Sequence, residues 1–491
     1  MAGISNRNEE TTSAGGVVAG AAATRPARRG GRFAGSTAAS NAAASSSAGG
    51  EGVTPDDARF MRRACALARR GAGWTNPNPL VGCVIVRDGA IIGEGWHERC
   101  GQAHAERNAL ESCARRAGFA AKSHAHEGDA ANQARSAAAG ATAGKQATPA
   151  GNAADPALGA ATGATAYVTL EPCCHTGKQP PCTEALIAAG IARVVVGSRD
   201  PNPLVAGKGT AQLRAAGIHV DEDVLREECD ALNSVFFHHI TSGMPYVVAK
   251  WAMSADGKIA CASGDARWVS GPAARADGHE LRHRLAAILV GINTVLADDP
   301  LLTCRRDEAA PSHQPVRIVL DSQLRIPADS RIVKSAAAGE APLIVATCTT
   351  APEKVAALEA AGTEVWQLPA DDAGRVALRP LLHALGERGI DSVLVEGGSG
   401  VHASFFAEGL VNEAVIYLAP KVIGGAGAPT PVGGVGAERM SQAAALGEAH
   451  VSLLSPDVKL VFTRDGHPGV AEQTASAPSE PEGGSACSPE S

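Results

Sequence analysis

His104-Ala105-Glu106 opens a helix-like stretch. About 65 residues later Glu171-Pro172-Cys173-Cys174-His175-Thr176-Gly177-Lys178-Gln179-Pro180-Pro181-Cys182 runs from a strand-like end into a second helix start. One histidine and two cysteines suit a catalytic zinc, because three protein ligands leave the fourth tetrahedral position to a water whose pKa the metal lowers to about 7. Residues two apart on a helix point in different directions, so His104 and Glu106 do not bind one ion. Glu106 reaches the bound water instead, where a carboxylate can take a proton and hand it on. The expected ligands are therefore His104, Cys173 and Cys182, with Glu106 as the catalytic acid and base. Cys174 and His175 lie in the same loop and compete as ligands; Cys173 is preferred for its place directly after Pro172. Each residue alone reads as well as a satisfied polar group or a small core filler, and only the set points to metal. A helix start at Cys182 also favours its thiolate through the helix dipole.

The flanking segments place this set in an α/β layer. Thr54-Pro55-Asp56-Asp57 supplies an N-cap, a first-turn proline and early acidic residues, and Phe60, Ala64 and Leu67 follow at helical spacing. Val81 to Val86, Asp88-Gly89 and Ile91-Ile92 read as strand, tight turn and strand. A helix over about 104–117, strands at 166–170 and 193–196, and a helix over about 182–189 complete the pattern. This predicts a metal-binding α/β domain over 54–243, with a low-complexity insertion at about 120–164 and a connector at 201–243. Residues 1–53 and 467–491 are rich in small and polar residues and are expected to be disordered tails.

A second domain is expected over 244–466. Short β-rich runs at 246–249, 287–290, 317–320, 343–346 and 392–395 alternate with helical segments such as 353–361 and 377–388, which implies a largely parallel sheet covered by helices. Leu394-Val395-Glu396-Gly397-Gly398-Ser399-Gly400 passes from a buried strand through a glycine turn into a helix over 401–408. Such a turn offers backbone N–H groups and a helix dipole to a phosphate. Alone, it reads equally as a chain reversal.

The motifs carry a resemblance. Thr75-Asn76-Pro77-Asn78-Pro79-Leu80-Val81-Gly82, His104-Ala105-Glu106 and the Glu171 to Cys182 loop resemble the deaminase half of the bifunctional riboflavin-biosynthesis deaminase/reductase family. Eight residues separate Cys173 from Cys182, against two in the common H-x-E, P-C-x-x-C deaminase signature, and in this family the long loop is the rule. Lys250 to Lys258, Ser263-Gly264, Thr294 to Pro300, Leu320-Asp321-Ser322 and Glu396-Gly397-Gly398 resemble its reductase half. Gln179 stands where many members have Thr, and Cys174 where many have Ser.

The resemblance implies a cytidine-deaminase-like three-layer domain followed by a dihydrofolate-reductase-like domain, with Zn2+ and NADPH as cofactors. It implies hydrolytic deamination of 2,5-diamino-6-(5-phosphoribosylamino)pyrimidin-4-one, then reduction of the ribosyl group to ribityl phosphate. Asn78 and Lys178 would lie near the deaminase substrate. Ala252, Trp268, Thr294, Asp298, Ser322 and the turn Gly398, Ser399, Gly400, Val401, His402, Ala403, Ser404 would face the dinucleotide. Ala266, Arg282, Leu302, Arg305 and Glu396 would face the reductase substrate, with Arg282 and Arg305 as a guanidinium clamp on its phosphate.

Composition narrows the alternatives. Against 44 Lys and Arg stand 51 Asp and Glu, a net charge of −7, which gives no electrostatic footprint for nucleic acid. No apolar run of about 20 residues occurs, so no membrane span is expected. Twelve cysteines are too dilute for a disulfide scaffold and fit a reducing, cytoplasmic setting. A nucleic-acid base deaminase would use the same ligand set but leaves 245–466 without a purpose. A non-catalytic zinc scaffold has no use for Glu106. The expected partners are small-molecule substrates, with homo-oligomerisation left open.

Overall fold

The computed structural model describes residues 54–118, 158–176, 179–306, 311–464 and 470. The first sheet holds β1 (Gly82–Arg87), β2 (Ala90–Trp96), β3 (Thr165–Leu170), β4 (Arg193–Ser198) and β5 (His219–Asp221) in the order β2-β1-β3-β4-β5. β1 runs antiparallel to β2 and β3, while β3, β4 and β5 are parallel. The turn between β1 and β2 uses Asp88 and Gly89 at φ of 52° and 74°, the left-handed pair that a two-residue hairpin needs.

Strand alternation splits the core into two layers. Val84, Val86, Tyr167 and Val195 face the helix Pro55–Ala68 through Phe60, Met61, Ala64 and Leu67. Cys83, Ile85, Val168 and Val194 face the other way, against Ala109, Cys113, Leu186 and Leu213 of the helices Ala105–Arg116, Cys182–Ala188 and Lys208–Ala215. Helices thus cover both faces, as the three-layer expectation requires. The first helix starts on a capping box, in which Asp57 N–H donates to Thr54 Oγ1 (3.2 Å) and Thr54 N–H donates to Asp57 Oδ2 (2.8 Å).

Two boundaries need correction. Residues 119–157 of the expected insertion lie outside the described residues, but 158–164 belong to the fold. Leu158–Ala161 form a helical turn, and Ala160, Ala161 and Ala164 are buried in the core beside Ala109 and Ile191. Small side chains were read as linker composition, whereas here they fit a tight core position. The 201–243 connector contributes a helix and β5, which pairs with β4, so its first part is integral to the sheet.

The second sheet has nine strands: β6 (Tyr246–Ser254), β7 (Ala287–Gly291), β8 (Val316–Leu320), β9 (Leu343–Thr347), β10 (Glu364–Gln367), β11 (Ser392–Val395), β12 (Glu413–Ala419), β13 (Ala449–Leu454) and β14 (Asp457–Thr463). Their order is β10-β9-β8-β7-β11-β6-β12-β14-β13, parallel through β12 and antiparallel in the last two. β11 enters late in the chain and lies between β6 and β7. Crevices form beyond strand ends at such a switch in order.

The loop 73–79 joins the two halves. Trp74 packs its ring edge-on to His283 (5.5 Å), and the Asn76 amide donates to Asp391 Oδ1 (3.1 Å) and to the Arg284 carbonyl (3.3 Å). Among the described residues no helix is long and apolar enough to cross a membrane.

Candidate active sites

Two helix starts and one strand end create the first site. His104 is the N-cap of the helix Ala105–Arg116, Cys182 is the first residue of the helix Cys182–Ala188, and Cys173 follows β3. His104 Nδ1 lies 3.5 Å from Cys173 Sγ and 3.3 Å from Cys182 Sγ, and the three ligand atoms fall within 4.8 Å of one another. One imidazole nitrogen and two sulfurs at this spacing suit a tetrahedral zinc with one open position. Among the described residues no other trio of His, Cys, Asp or Glu converges this way.

The two thiols ionise unequally. Hydrogen bonds from Cys182 and His104 take Cys173 down to about 4, while its bond to Cys173 and burial push the Cys182 thiol far up. Glu171 fixes the loop that carries Cys173: its carboxylate accepts from the backbone N–H groups of Gly207 (3.0 Å), Gly209 (3.0 Å) and Thr210 (3.3 Å). Cys174 points its sulfur to the Leu204 carbonyl (3.8 Å), away from the trio.

Glu106 is 3% exposed in the same cavity, and burial followed by the charge of Cys173 raises its pKa. A carboxyl so placed holds and releases a proton nearer neutrality than a solvated one. The cavity measures about 290 Å³. Asn78 lines it and donates its amide to His97 Nε2 (3.3 Å), while His97 Nδ1 donates to the Ala103 carbonyl (3.1 Å). Burial lowers the His97 pKa. His175 also lines the wall, its Nδ1 buried without a partner. Lys178 lies outside the described residues.

His97, Asp200 and Asn202 line this cavity and were missed by sequence reasoning. Asp200 is raised to about 6 by burial. A signal was present for two of them: Asp200-Pro201-Asn202-Pro203 repeats the spacing of Asn76-Pro77-Asn78-Pro79.

The second half has two neighbouring clefts. One, about 600 Å³, is lined by Thr294, Ser322, Gly398, Ser399, Gly400, Val401 and Ser404, with the helix Ser399–Ala407 opening onto it. Gly398 has a φ of −63°, and a Cβ there would find only Thr294 Oγ1, at 3.8 Å, so the space in front of the turn is open for a phosphate. The donor set of backbone, Thr and Ser fits a dinucleotide. The other cleft, about 980 Å³, brings Ala252, Ala266, Trp268, Arg282, Arg305 and Glu396 together with Lys250 and His279.

Four expected positions are not among the residues that line the two clefts. Leu302 is buried in the core around Val290 and Leu324, with its backbone at a φ of 55°. His402 is buried with its ring between the carbonyls of Val395 and Pro431, both at 3.1 Å. Asp298 is exposed and meets Arg267 through its backbone carbonyl (3.4 Å), and Ala403 packs toward Gly434. A helix can aim only part of its circumference at a cleft.

The expected clamp also changes form. Arg282 binds Glu396 through two parallel bonds (2.9 and 2.8 Å) and donates to the Thr303 carbonyl (3.1 Å). Burial opposes the charge on Glu396, but Arg282 and Lys250, whose Nζ is 3.6 Å away, hold that carboxyl well below its usual range. Arg305 donates to Thr303 Oγ1 (2.9 Å), a neutral group, which leaves its charge for an anion. His279 beside them is depressed to about 4 by burial and by the charges of Arg282 and Arg305.

Together the two sites define a class: a zinc-dependent deaminase domain fused to a pyridine-nucleotide reductase domain. A sequence model of the cytidine and deoxycytidylate deaminase zinc-binding region matches residues 54–198, and one of the RibD C-terminal domain matches 245–460. The chain is 45% identical over 409 residues to the riboflavin biosynthesis protein RibD of Actinobacillus pleuropneumoniae, covering 83% of this chain and 96% of that one. It is 39% identical to that of Bacillus amyloliquefaciens, covering 84% and 97%. An Acinetobacter baumannii RibD structure aligns with a TM-score of 0.66 at 35% identity, covering 83% and 98%. A Thermotoga maritima diaminohydroxyphosphoribosylaminopyrimidine deaminase/5-amino-6-(5-phosphoribosylamino)uracil reductase aligns at 0.65 and 34%, with the same coverage. The chain belongs to the RibD family of bifunctional riboflavin-biosynthesis enzymes. It carries deaminase and reductase activities, uses Zn2+ and NADPH, and has the two-domain α/β fold that the motifs implied.

Proposed function

We propose that the substrate pair is that of the Thermotoga relative, a diaminopyrimidine ribosylamino phosphate that loses ammonia and is then reduced at the ribosyl carbon. In this reading His104, Cys173 and Cys182 would hold the zinc, whose chemistry when bound would be to acidify a water for attack on the amino-bearing ring carbon. Glu106 would take the two protons of that water in turn, passing one to the neighbouring ring nitrogen and the other to the amino nitrogen, so that N=C–NH2 and H2O become HN–C=O and NH3. Asn78 and His97, the latter packed edge-on to His104, orient the pyrimidine.

For the second step, the 397–400 turn with Thr294 and Ser322 holds the dinucleotide, and NADPH supplies the hydride. Arg305 and Lys250 hold the ribose phosphate, while the Arg282–Glu396 pair keeps the floor of that cleft rigid. Lys250 is also positioned to give a proton to the opening ribose oxygen. Residues 54–243 and 244–466 form the two catalytic domains, and the enzyme works on small molecules in the cytoplasm.

The observation that carries the reading is the convergence of three ligand atoms within 4.8 Å beside a buried Glu106. The test is to give zinc-loaded protein the diaminopyrimidine ribosyl phosphate, follow ammonia, then add NADPH and follow its absorbance. Ammonia first and NADPH loss second support the order. Ammonia release without any later NADPH loss refutes the second step, and release from adenosine in tRNA instead of this compound refutes the substrate.

A further inference from the structure

Val470 belongs to a stretch whose composition predicts a disordered tail, yet it is 6% exposed and packs among Tyr246, Leu281 and Leu285 of the second half. Fixing a residue there costs conformational entropy that its contacts must offset. Both of its backbone groups meet a buried ionisable side chain. The Val470 N–H donates to Glu413 Oε2 (2.7 Å), and its carbonyl accepts from Arg284 Nη1 (3.0 Å). Glu413 is the first residue of β12 and wholly buried, while Arg284 ends the helix Pro272–Arg284 and is 8% exposed. Hydrogen bonds to ionised groups this far from water are stronger than neutral ones, so one residue ties strand to helix.

The tie continues into the first half. The Arg284 carbonyl accepts from the Asn76 amide (3.3 Å), which also donates to Asp391 Oδ1 (3.1 Å), and two residues further on Asn78 lines the deaminase cavity. Val470 itself lines a small cleft of about 40 Å³. Asn78, Pro79 and Phe236 line both this cleft and the deaminase cavity, so whatever fixes the cleft also fixes part of the cavity wall. The far end of the loop is anchored within its own half, where Leu80 N–H donates to Asn233 Oδ1 (2.8 Å) and the Leu80 carbonyl accepts from Asn233 Nδ2 (3.0 Å). The near end depends on Arg284 and Asp391.

We infer that Val470 is a positioning residue of the deaminase site: by holding Arg284 it steadies the 76–79 loop that presents Asn78 to the pyrimidine. Packed and hydrogen-bonded pairs in series leave little room for one link to shift without the next. The inference rests on the substrate placement proposed above, and the experiment separates the two.

The full-length zinc-loaded protein is compared with four altered chains. Val470→Pro lacks the N–H that meets Glu413, Val470→Ile keeps it, and two truncated chains end at Gly466, without Val470, and at Gln473, with it. One readout is hydrogen exchange at the N–H groups of Asn78, which donates to the Thr75 carbonyl (2.7 Å), and of Leu80. The other is steady-state ammonia release from the diaminopyrimidine ribosyl phosphate. Val470→Pro and the chain ending at Gly466 should exchange the Asn78 amide at least about threefold faster and raise KM about threefold to tenfold, with kcat within about twofold and zinc content unchanged. Val470→Ile and the chain ending at Gln473 should match the full-length protein in both readouts. Unchanged exchange in Val470→Pro and in the chain ending at Gly466, or an equal effect in the chain ending at Gln473, overturns the inference. Faster exchange at unchanged KM, or a fall in kcat that follows lost zinc, overturns it too, because Val470 is then a structural tie alone. If the full-length protein releases no ammonia from this compound, the substrate reading fails, and exchange at Asn78 alone decides whether Val470 holds the loop.

Discussion

A Cβ on Gly95 would lie 2.3 Å from the backbone nitrogen of Ala109, so β2 and the helix Ala105–Arg116 approach backbone to backbone at this point. The same Cβ would lie 2.5 Å from the Ala105 carbonyl, one residue after His104. Main chain cannot step aside like a flexible side chain, so Gly95→Ala must push the start of this helix off the sheet. The expected result is a loss of about 2 kcal/mol or more and a weaker grip on zinc, read by thermal unfolding and by metal content after dialysis. Gly427→Ala, where a Cβ meets nothing within 4 Å, should change neither. Full zinc occupancy in Gly95→Ala would show that the ligands do not depend on this contact.

Zinc content also separates the two adjacent cysteines. Cys173→Ser and Cys182→Ser should each lose the metal, because a hydroxyl is a poor replacement for a thiolate on zinc. Cys174→Ser should keep it, since that sulfur faces the Leu204 carbonyl. Retention by Cys173→Ser together with loss by Cys174→Ser would reverse the ligand choice.

The elements around this site were legible because each carried a local rule: the Thr54 capping box, the Asp88-Gly89 turn, the apolar runs of β3 and β4. β14 was not, because both of its faces are covered: Leu460 and Phe462 pack on the core, while Lys459, on the other face with buried Val461, is held inside by Asp277 at 2.8 Å. Periodicity cannot report a partner that lies 182 positions away in sequence. The zinc trio was readable for the opposite reason, since few other roles demand that residue set. The burial of Leu302 and His402 was not legible, because resemblance transfers a position along the chain, whereas the direction of a side chain depends on backbone conformation and helix face.

Glu106→Gln should bind zinc normally and deaminate slowly. The amide fills the same buried volume but cannot accept a proton from water, and the loss expected for one general acid/base group is about 10²–10⁴-fold. NADPH affinity should be unchanged, because the dinucleotide cleft is built from the other sheet. Near-normal ammonia release by zinc-loaded Glu106→Gln protein would remove this residue from the mechanism.

Asp57 links the helix cap to the first sheet and gives stability a defined pH dependence. Its side chain is 1% exposed and accepts from Arg193 (2.8 and 3.2 Å) and from the Tyr167 hydroxyl (2.8 Å), besides the Thr54 cap. Burial alone would raise its pKa, but the Arg193, Thr54 and Tyr167 bonds override it and hold the carboxyl well below the usual range. A group depressed in the folded state stabilises fully above its unfolded pKa, about 3.9, and that contribution fades as pH falls through this value toward the folded one. Asp57→Asn removes the anion and leaves Arg193, one-quarter exposed, with Asp221 (2.7 Å) as its remaining carboxylate; a loss of roughly 1.5–3 kcal/mol at pH 7 follows. Urea unfolding at pH 7 and at pH 3 gives the check. The gap between wild type and Asp57→Asn should be wide at pH 7 and narrower at pH 3, and a gap that widens on acidification would mean that the carboxylate does not hold this corner together.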